Sequence, residues 1–378
     1  MAVTRAGAES PTTGVRLPRA LQVVAAALAA VAVHVFAVWT AVKMQPGLRL
    51  REELTDWDGA WYIEIARHGY PSHVLTGSGD GAQSAIAFYP LYPAVLRVVD
   101  ALTPLGPAQA ALLVAIVAAV GALVAIDRLV TRVCTDDVAW RAVILIAFAP
   151  GAIVLSMAYS EGLFMLFVAL CLLRLVERRW LAAGAYGALA CLTRPSGLAV
   201  IAACVAAAYV EWRRTERDAG VVVAPLLAIA GYAALPLYHW VHAGTPLAWW
   251  QTEDRGWGMG FDFGWSTAGK MIDVVQDPGH DFNLLLGTLG VLYMVGGLVA
   301  LWYWKPPLPV AAYTVVAVGL AVGASQVVST MRFAMAAFPL AIAYARVLRN
   351  NAFVVVVGVS AALMAVLAMA ATTTLYTP

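Results

Sequence analysis

The chain has 378 residues, of which 62% are hydrophobic and 12% charged, with a mean hydropathy of +0.79. Soluble domains carry about 25% charged residues, so this composition excludes a soluble globular protein and indicates an integral membrane protein that crosses the bilayer many times. The net charge of +2 is too small to argue for a nucleic-acid partner, and no stretch between apolar segments exceeds about 65 residues, which leaves one integral domain.

Residues 1–20 lack apolar periodicity and read as a loose tail. A bilayer-crossing helix needs about 20 mostly apolar residues. Candidates follow at 21–42, 108–130, 141–158, 161–176, 181–193, 196–210, 220–241, 283–303, 308–327, 332–347 and 352–371, so an all-α polytopic protein with about 11 transmembrane helices is expected within 21–371. The fifth and sixth are short and flank Arg194-Pro195-Ser196-Gly197; they fit either one kinked helix or a re-entrant pair. The first run is too long for a signal-peptide core and reads as an uncleaved anchor. Residues 372–378 form an outer tail.

Placing the N-terminus in the cytoplasm puts 15 of the 24 Lys and Arg residues in short cytoplasmic loops. The nine others and 14 of the 22 carboxylates then fall on the opposite face, mostly in two long loops, 43–107 and 242–282. This asymmetry predicts a multi-pass plasma-membrane protein with its working face outside. Cys134, Cys171, Cys191 and Cys204 offer neither an outer disulfide framework nor metal-type spacing.

The first long loop opens on Thr55-Asp56-Trp57-Asp58 and continues as a surface helix, with Trp57, Trp61, Ile65 and Tyr62, Ala66 at i, i+4 spacing. Thr55-x-x-Asp58 also fits a helix capping box. Further along, Tyr89 and Tyr92 each precede a proline, Pro90 and Pro93, in a segment that suits an interfacial aromatic belt. Tyr159-Ser160-Glu161 opens the fourth span; Ser160 fits an N-cap, but a carboxylate so near the hydrocarbon calls for a cavity or a partner. His34, inside the first span, is a candidate by the same rule, with a hydrogen-bonded packing role the plainer account.

Arg194 and Arg332 stand at outer helix ends against the positive-inside trend, where guanidinium can hold an anion through charge-assisted bonds or reach to headgroup phosphate. The aromatic stretch 249–265 reads either as dipping into the bilayer interface or as lining a groove for a sugar or lipid. Its glycines do not fit a phosphate-cradling nucleotide motif.

No loop could hold a doubly wound nucleotide-binding domain. A donor used on the outer face would therefore be carried by a lipid. A carboxylate above the membrane and arginines at helix ends suit transfer of a sugar from a polyprenyl phosphate: the carboxylate takes the acceptor proton and arginine stabilises the departing phosphate. The same arginines would also suit a transporter of lipid-linked sugars, or a scaffold subunit that binds a partner through its aromatic loops.

The segments WDGAWYIEIARHGY, FYPLYP, AYSEGLF, LTRPSGL and MRFAMAAFPL, in that order across 57–340, resemble the PIG-V-like branch of the membrane GT-C glycosyltransferases, which add the second mannose in GPI-anchor assembly. The Ala- and Arg-rich makeup suggests a bacterial, actinobacterial member. The resemblance implies a GT-C architecture, a polyprenyl-phosphate-mannose donor, no nucleotide cofactor and a catalytic aspartate in the first outer loop. Its motifs fall on Trp57-Asp58, Tyr159-Ser160-Glu161, Thr193-Arg194-Pro195 and Arg332-Phe333, with Gly162 where the family pattern has Ser.

The combined expectation is Asp58 as general base with Asp56 as the alternative, Arg194 and Arg332 on the donor phosphate, and Glu161, Tyr159, Trp57, Trp61, Tyr62 and Tyr89 around the substrate. No obligatory metal is expected, since Asp56 and Asp58 supply too few oxygens for a hard cation. The acceptor is left open among glycolipid, glycan and protein.

Overall fold

The computed structural model describes residues 17–279, 281–373 and 375–378; most of the expected N-terminal tail lies outside them, and Arg19 already opens the first helix. Regular structure among the described residues is helical. The first part contains α1 (Arg19–Met44), α2 (Leu50–Thr55), α3 (Asp58–His68), α4 (Leu91–Leu102), α5 (Pro107–Val133) and α6 (Asp136–Ala147). Next come α7 (Glu161–Val176), α8 (Trp180–Cys191), α9 (Leu198–Trp212), α10 (Val223–Ala243), α11 (Ala248–Trp257) and α12 (Trp265–Gln276). The chain closes with α13 (Phe282–Trp304), α14 (Leu308–Gly323), α15 (Thr330–Ala336), α16 (Pro339–Val347) and α17 (Asn350–Ala371).

Each of the eleven expected segments is helical, though not uniformly so. Six described stretches are long and apolar enough to cross a membrane: Arg19–Met44, Pro107–Val133, Pro195–Trp212, Ala219–Ala243, Phe282–Trp304 and Asn350–Ala371. Two expected spans are broken. Segment 141–158 is α6 followed by a 3₁₀ turn, Pro150–Leu155, because Pro150 forces Ala149 into extended backbone. Segment 332–347 divides into α15 and α16, with Pro339 at the start of the second helix. Around Arg194 the alternatives resolve into two helices: Arg194 is extended (φ −156°, ψ 154°) before Pro195, and α9 starts afresh.

Small residues let these helices touch backbone to backbone. A Cβ on Gly162 would lie 2.9 Å from the Ala119 nitrogen of α5, and one on Gly231 would lie 2.5 Å from the Ala188 oxygen of α8. The first of these contacts gives a physical reason for Gly162 in this chain: a larger side chain would push the start of α7 off α5.

The two ends of the bundle differ in character. At one end the short basic loops are tied down, Arg19 to Asp127 (2.6 Å) and Arg141 to the Leu348 carbonyl (3.2 Å). At the other end the two long loops close on each other. Trp249 Nε1 donates to the Ala87 carbonyl (3.0 Å), Gln83 Nε2 to Gly256 (3.3 Å) and Arg255 to Leu75 (3.3 Å). Lys270 adds a bond to the Ser325 carbonyl (2.8 Å), which joins the stretch before α15 to the same cap. The C-terminal stretch, expected as an outer tail, packs on the bundle: Tyr376 is buried, and Ser329 Oγ donates to the Pro378 carbonyl (3.4 Å).

Candidate active site

Four segments that break regular helix meet under this cap. Trp57 precedes Asp58 with φ 55° and ψ −125°, a backbone state that suits glycine and costs a bulky residue about 1–3 kcal/mol. That turn sets Asp58 in the first turn of α3, where the free backbone N–H groups favour a negative charge. A Cβ on Gly59 would sit 3.0 Å from that of Ala158, and Ala158 N donates to the Leu54 carbonyl (2.9 Å), so the start of α3 seats directly on the approach to α7. Gly151 performs the same service on the other side. Its Cβ would fall 2.3 Å from the Met331 oxygen, so the 3₁₀ turn admits α15 only because the residue is glycine.

Asp58, Glu161, Arg194 and Arg332 are thereby brought together. Arg332 Nη1 donates to Asp58 Oδ2 at 2.9 Å and its Nε lies 3.3 Å from Glu161 Oε1. Arg194 Nη1 lies 2.6 Å from the same Glu161 oxygen and 3.1 Å from Ser160 Oγ. Two carboxylates and two guanidiniums therefore balance in charge. Glu161 keeps only 3% of its side-chain surface and sits behind both arginines, whereas Asp58 keeps 23% and reaches the open side. Neither Glu161 oxygen, nor Arg332 Nε, has a partner at hydrogen-bonding angles, so these contacts hold by charge rather than by directed hydrogen bonds.

Aromatic rings wall the cluster. Tyr62 OH and Ser160 Oγ lie 2.7 Å apart, and burial pushes the Tyr62 phenol above its ordinary range against the opposing pull of Arg194. The Arg332 guanidinium lies over Tyr159 (5.4 Å) and Phe333 (5.3 Å). Trp61 packs on Phe88 and Trp257, and Tyr89 packs on Trp249. Trp57 rests half-buried against the main core.

Several expectations change in physical detail. The capping box does not form: Thr55 Oγ1 donates back to the Arg51 carbonyl (2.9 Å) inside α2, and α3 has no side-chain cap. Ser160 does not cap α7 either, because its hydroxyl is engaged by Tyr62 and Arg194. Tyr89 and Tyr92 are buried rather than set at the bilayer interface, with Tyr92 OH donating to the Ala111 carbonyl (2.8 Å). Arg194 and Arg332 are paired with carboxylates rather than left free for lipid headgroups. Asp56 is exposed, and its carboxylate has no ion pair among the described residues. His34 is buried in α1, but its Nδ1 has no partner among the described residues.

The aromatic stretch 249–265 divides into a packed part and an exposed part. Trp249 and Trp257 face the site, while Phe263 and Trp265 are 90% and 85% exposed. One titratable group beside the cluster was not among the residues expected there. Glu253 of α11 faces the cluster, and burial, followed by the negative charge of Asp58, raises its carboxyl to about 8 against the weaker pull of Arg332 and Arg194. The signal was the spacing Trp249, Glu253, Trp257, one face of one helix.

A buried carboxylate–arginine cluster beneath an aromatic cap, in an all-helical bundle, defines the class: a polytopic membrane protein with a charged centre under its long loops. A model of the Mannosyltransferase (PIG-V) family matches residues 24–214, and the chain belongs to that family. GPI mannosyltransferase 2 of Drosophila pseudoobscura pseudoobscura is 31% identical over 121 residues, which are 29% of this chain and 25% of that protein. The chain thus matches about a quarter of that curated relative's length.

Among solved structures, the apo oligosaccharyltransferase of Archaeoglobus fulgidus aligns with TM-score 0.48 and 15% identity, over 94% of this chain and 56% of that one. The same organism's enzyme with an inhibitory peptide and a dolichol-phosphate aligns with TM-score 0.47 and 14% identity, over 94% and 56%.

Proposed function

We propose that this protein is an inverting GT-C-type mannosyltransferase that moves mannose from a polyprenyl-phosphate-mannose donor to a lipid-linked or glycan acceptor on the non-cytoplasmic face of the plasma membrane. The observation that carries the reading is the junction of Asp58, Glu161, Arg194 and Arg332 under the two long loops, in a chain of the PIG-V family. The clustering of Lys and Arg in the loops at the opposite end supports the orientation, with the N-terminus in the cytoplasm.

The donor phosphate docks on the free donors of Arg332 and Arg194. In doing so it competes with Asp58 for Arg332 and releases that carboxylate to act as a base. The acceptor oxygen then attacks the anomeric carbon as its proton passes to Asp58. The bond from that carbon to the phosphate oxygen breaks, and its electron pair leaves with the phosphate, held by the two guanidiniums. Glu161 keeps both arginines in place throughout. No divalent ion is required, so a chelator leaves the rate unchanged, and a sharp loss of activity in chelator overturns that part.

The test uses membranes carrying wild type or D58N, supplied with radiolabelled polyprenyl-phosphate-mannose. GDP-mannose serves as control donor after removal of endogenous lipid carriers. Label moves from the lipid donor in wild type and not in D58N. Transfer from GDP-mannose alone would refute the lipid donor, and equal transfer by both proteins would refute Asp58 as base.

A further inference from the structure

Glu253 takes no part in the chemistry above, yet α11 is built to aim it. Thr252 is buried, and a Cβ on Gly256 would meet the Gln83 backbone at 3.0 Å, so the helix lies flush on the first loop. Trp249 and Trp257, one turn to either side of Glu253, pack on Tyr89 (6.1 Å between ring centroids) and on Trp61 (6.0 Å). Glu253 shares their face, directed at α3 and Asp58. Its half-buried carboxyl makes no hydrogen bond or ion pair among the described residues.

Charge counting defines the state in which that carboxyl works. The four-residue cluster is already neutral, with two carboxylates against two guanidiniums. A further carboxylate beside Asp58 would be uncompensated, and an arriving phosphate would make it more so. The groups that set its proton are Asp58 from α3, Arg332 from α15 and Arg194 from the break before α9, with Tyr89 of the first loop alongside. Of the other titratable groups on elements packed against α11, Asp80 is engaged by Gln83, and His239 and His242 of α10 pack with Tyr70 and Tyr238.

We propose that Glu253 touches the substrate as a neutral carboxylic acid, its O–H donating to one hydroxyl of the donor sugar and its C=O accepting from another, on the face of α11 that it shares with Trp249 and Trp257. This rests on the mannosyl-transfer reading. The arginines take the phosphate and Asp58 takes the acceptor proton, which leaves the ring hydroxyls for Glu253 and the ring faces for the tryptophans beside it. A neutral acid offers one donor and one acceptor, the pairing that adjacent hydroxyls can meet.

The test compares wild type, E253Q and E253A, expressed alike and each folded throughout the range, for donor KM and kcat from pH 6 to 9.5, together with tryptophan fluorescence over the same range. Glutamine keeps one donor and one acceptor without ionising. E253Q is therefore expected to stay within about threefold of wild type at pH 6.5 and to lose the activity fall that wild type shows above about pH 8, whereas E253A raises donor KM roughly tenfold. The fluorescence of wild type changes near pH 8, moves to higher pH with added methyl mannoside, and is flat in E253Q.

An E253Q protein as inactive as E253A at every pH would show that a charged carboxylate is needed and overturn the proposal. Wild-type kinetics in E253A would overturn the contact. If wild type turned over no lipid donor, the mannosyl-transfer reading would fail separately, and a fluorescence transition absent or unmoved by methyl mannoside would overturn the Glu253 assignment on its own terms.

Discussion

Replacing Glu161 with glutamine should unbalance the site more than any other single change. The Glu161 side chain retains 3% of its surface and lies 2.6 Å from Arg194 and 3.3 Å from Arg332. At an effective dielectric of 20 the gross attractions are about 6 and about 5 kcal/mol. Most of each is offset by the cost of burying the charges, and breaking a buried pair from one side costs about 3–5 kcal/mol net, because an uncompensated charge remains. In E161Q two guanidiniums would face the single carboxylate of Asp58.

Thermal melting in detergent, followed by tryptophan fluorescence, should show a fall on the order of 5–10 °C. The second variant of the cycle makes the reasoning specific. R194Q alone should also destabilise, but E161Q/R194Q restores the charge balance, so the double variant should recover about 1 kcal/mol or more relative to the sum of the singles. Additive losses, or an E161Q protein melting within about 2 °C of wild type, would refute the picture of a balanced buried cluster.

Three further outcomes follow from the same geometry. D58N should lower the transfer rate by at least about 10²-fold, while D56N, altering an exposed carboxylate, should stay within about twofold of wild type in the same initial-rate assay. G151A should cost about 1–3 kcal/mol and reduce transfer, because its methyl group would fall 2.3 Å from the Met331 oxygen beside Arg332, whereas G358A, with nothing within 4 Å, should be neutral or slightly stabilising in the same melts. Glu253 makes a pH-dependent contribution whose sign is fixed by its raised value of about 8 against 4.5. The folded protein holds a proton there that the unfolded chain releases, so stability falls between those limits as pH rises. E253Q should therefore gain melting temperature over wild type progressively from pH 5 to pH 8, and a constant offset would contradict the assignment.

Much of this site was readable before any coordinates. Asp58 stood out at the opening of the first long loop, Glu161 because a carboxylate near the hydrocarbon calls for a partner, and Arg194 and Arg332 because they break the positive-inside trend; all four converge. Which charge would face which was not readable, because pairing between positions 58 and 332 depends on how broken helices stack. Segments 141–158 and 332–347 read as continuous spans, yet Pro150 and Pro339 break them, and the packing of Gly151 on Met331 brings the two breaks together beside Arg332.

The sequence also offered two caps that do not form: the Thr55 hydroxyl turns back to the Arg51 carbonyl inside its own helix, and the Ser160 hydroxyl goes to longer-range partners. Tyr62 and Arg194 claim the Ser160 hydroxyl, and Trp57 takes a strained turn that no propensity would choose. Glu253 was hidden among aromatics that part company in the fold: Phe263 and Trp265 are exposed, whereas the turn of helix that carries Glu253 packs on the first loop.

The most direct measurement is the fate of the donor with purified protein in proteoliposomes: release of free polyprenyl phosphate from polyprenyl-phosphate-mannose in the presence of an acceptor extract. The account predicts that wild type releases polyprenyl phosphate in step with mannose transfer and that D58N, folded like wild type, releases none. Donor that crosses the bilayer or stays in place with its mannose still attached, in wild type and variant alike, would contradict it and point to a carrier of lipid-linked sugars.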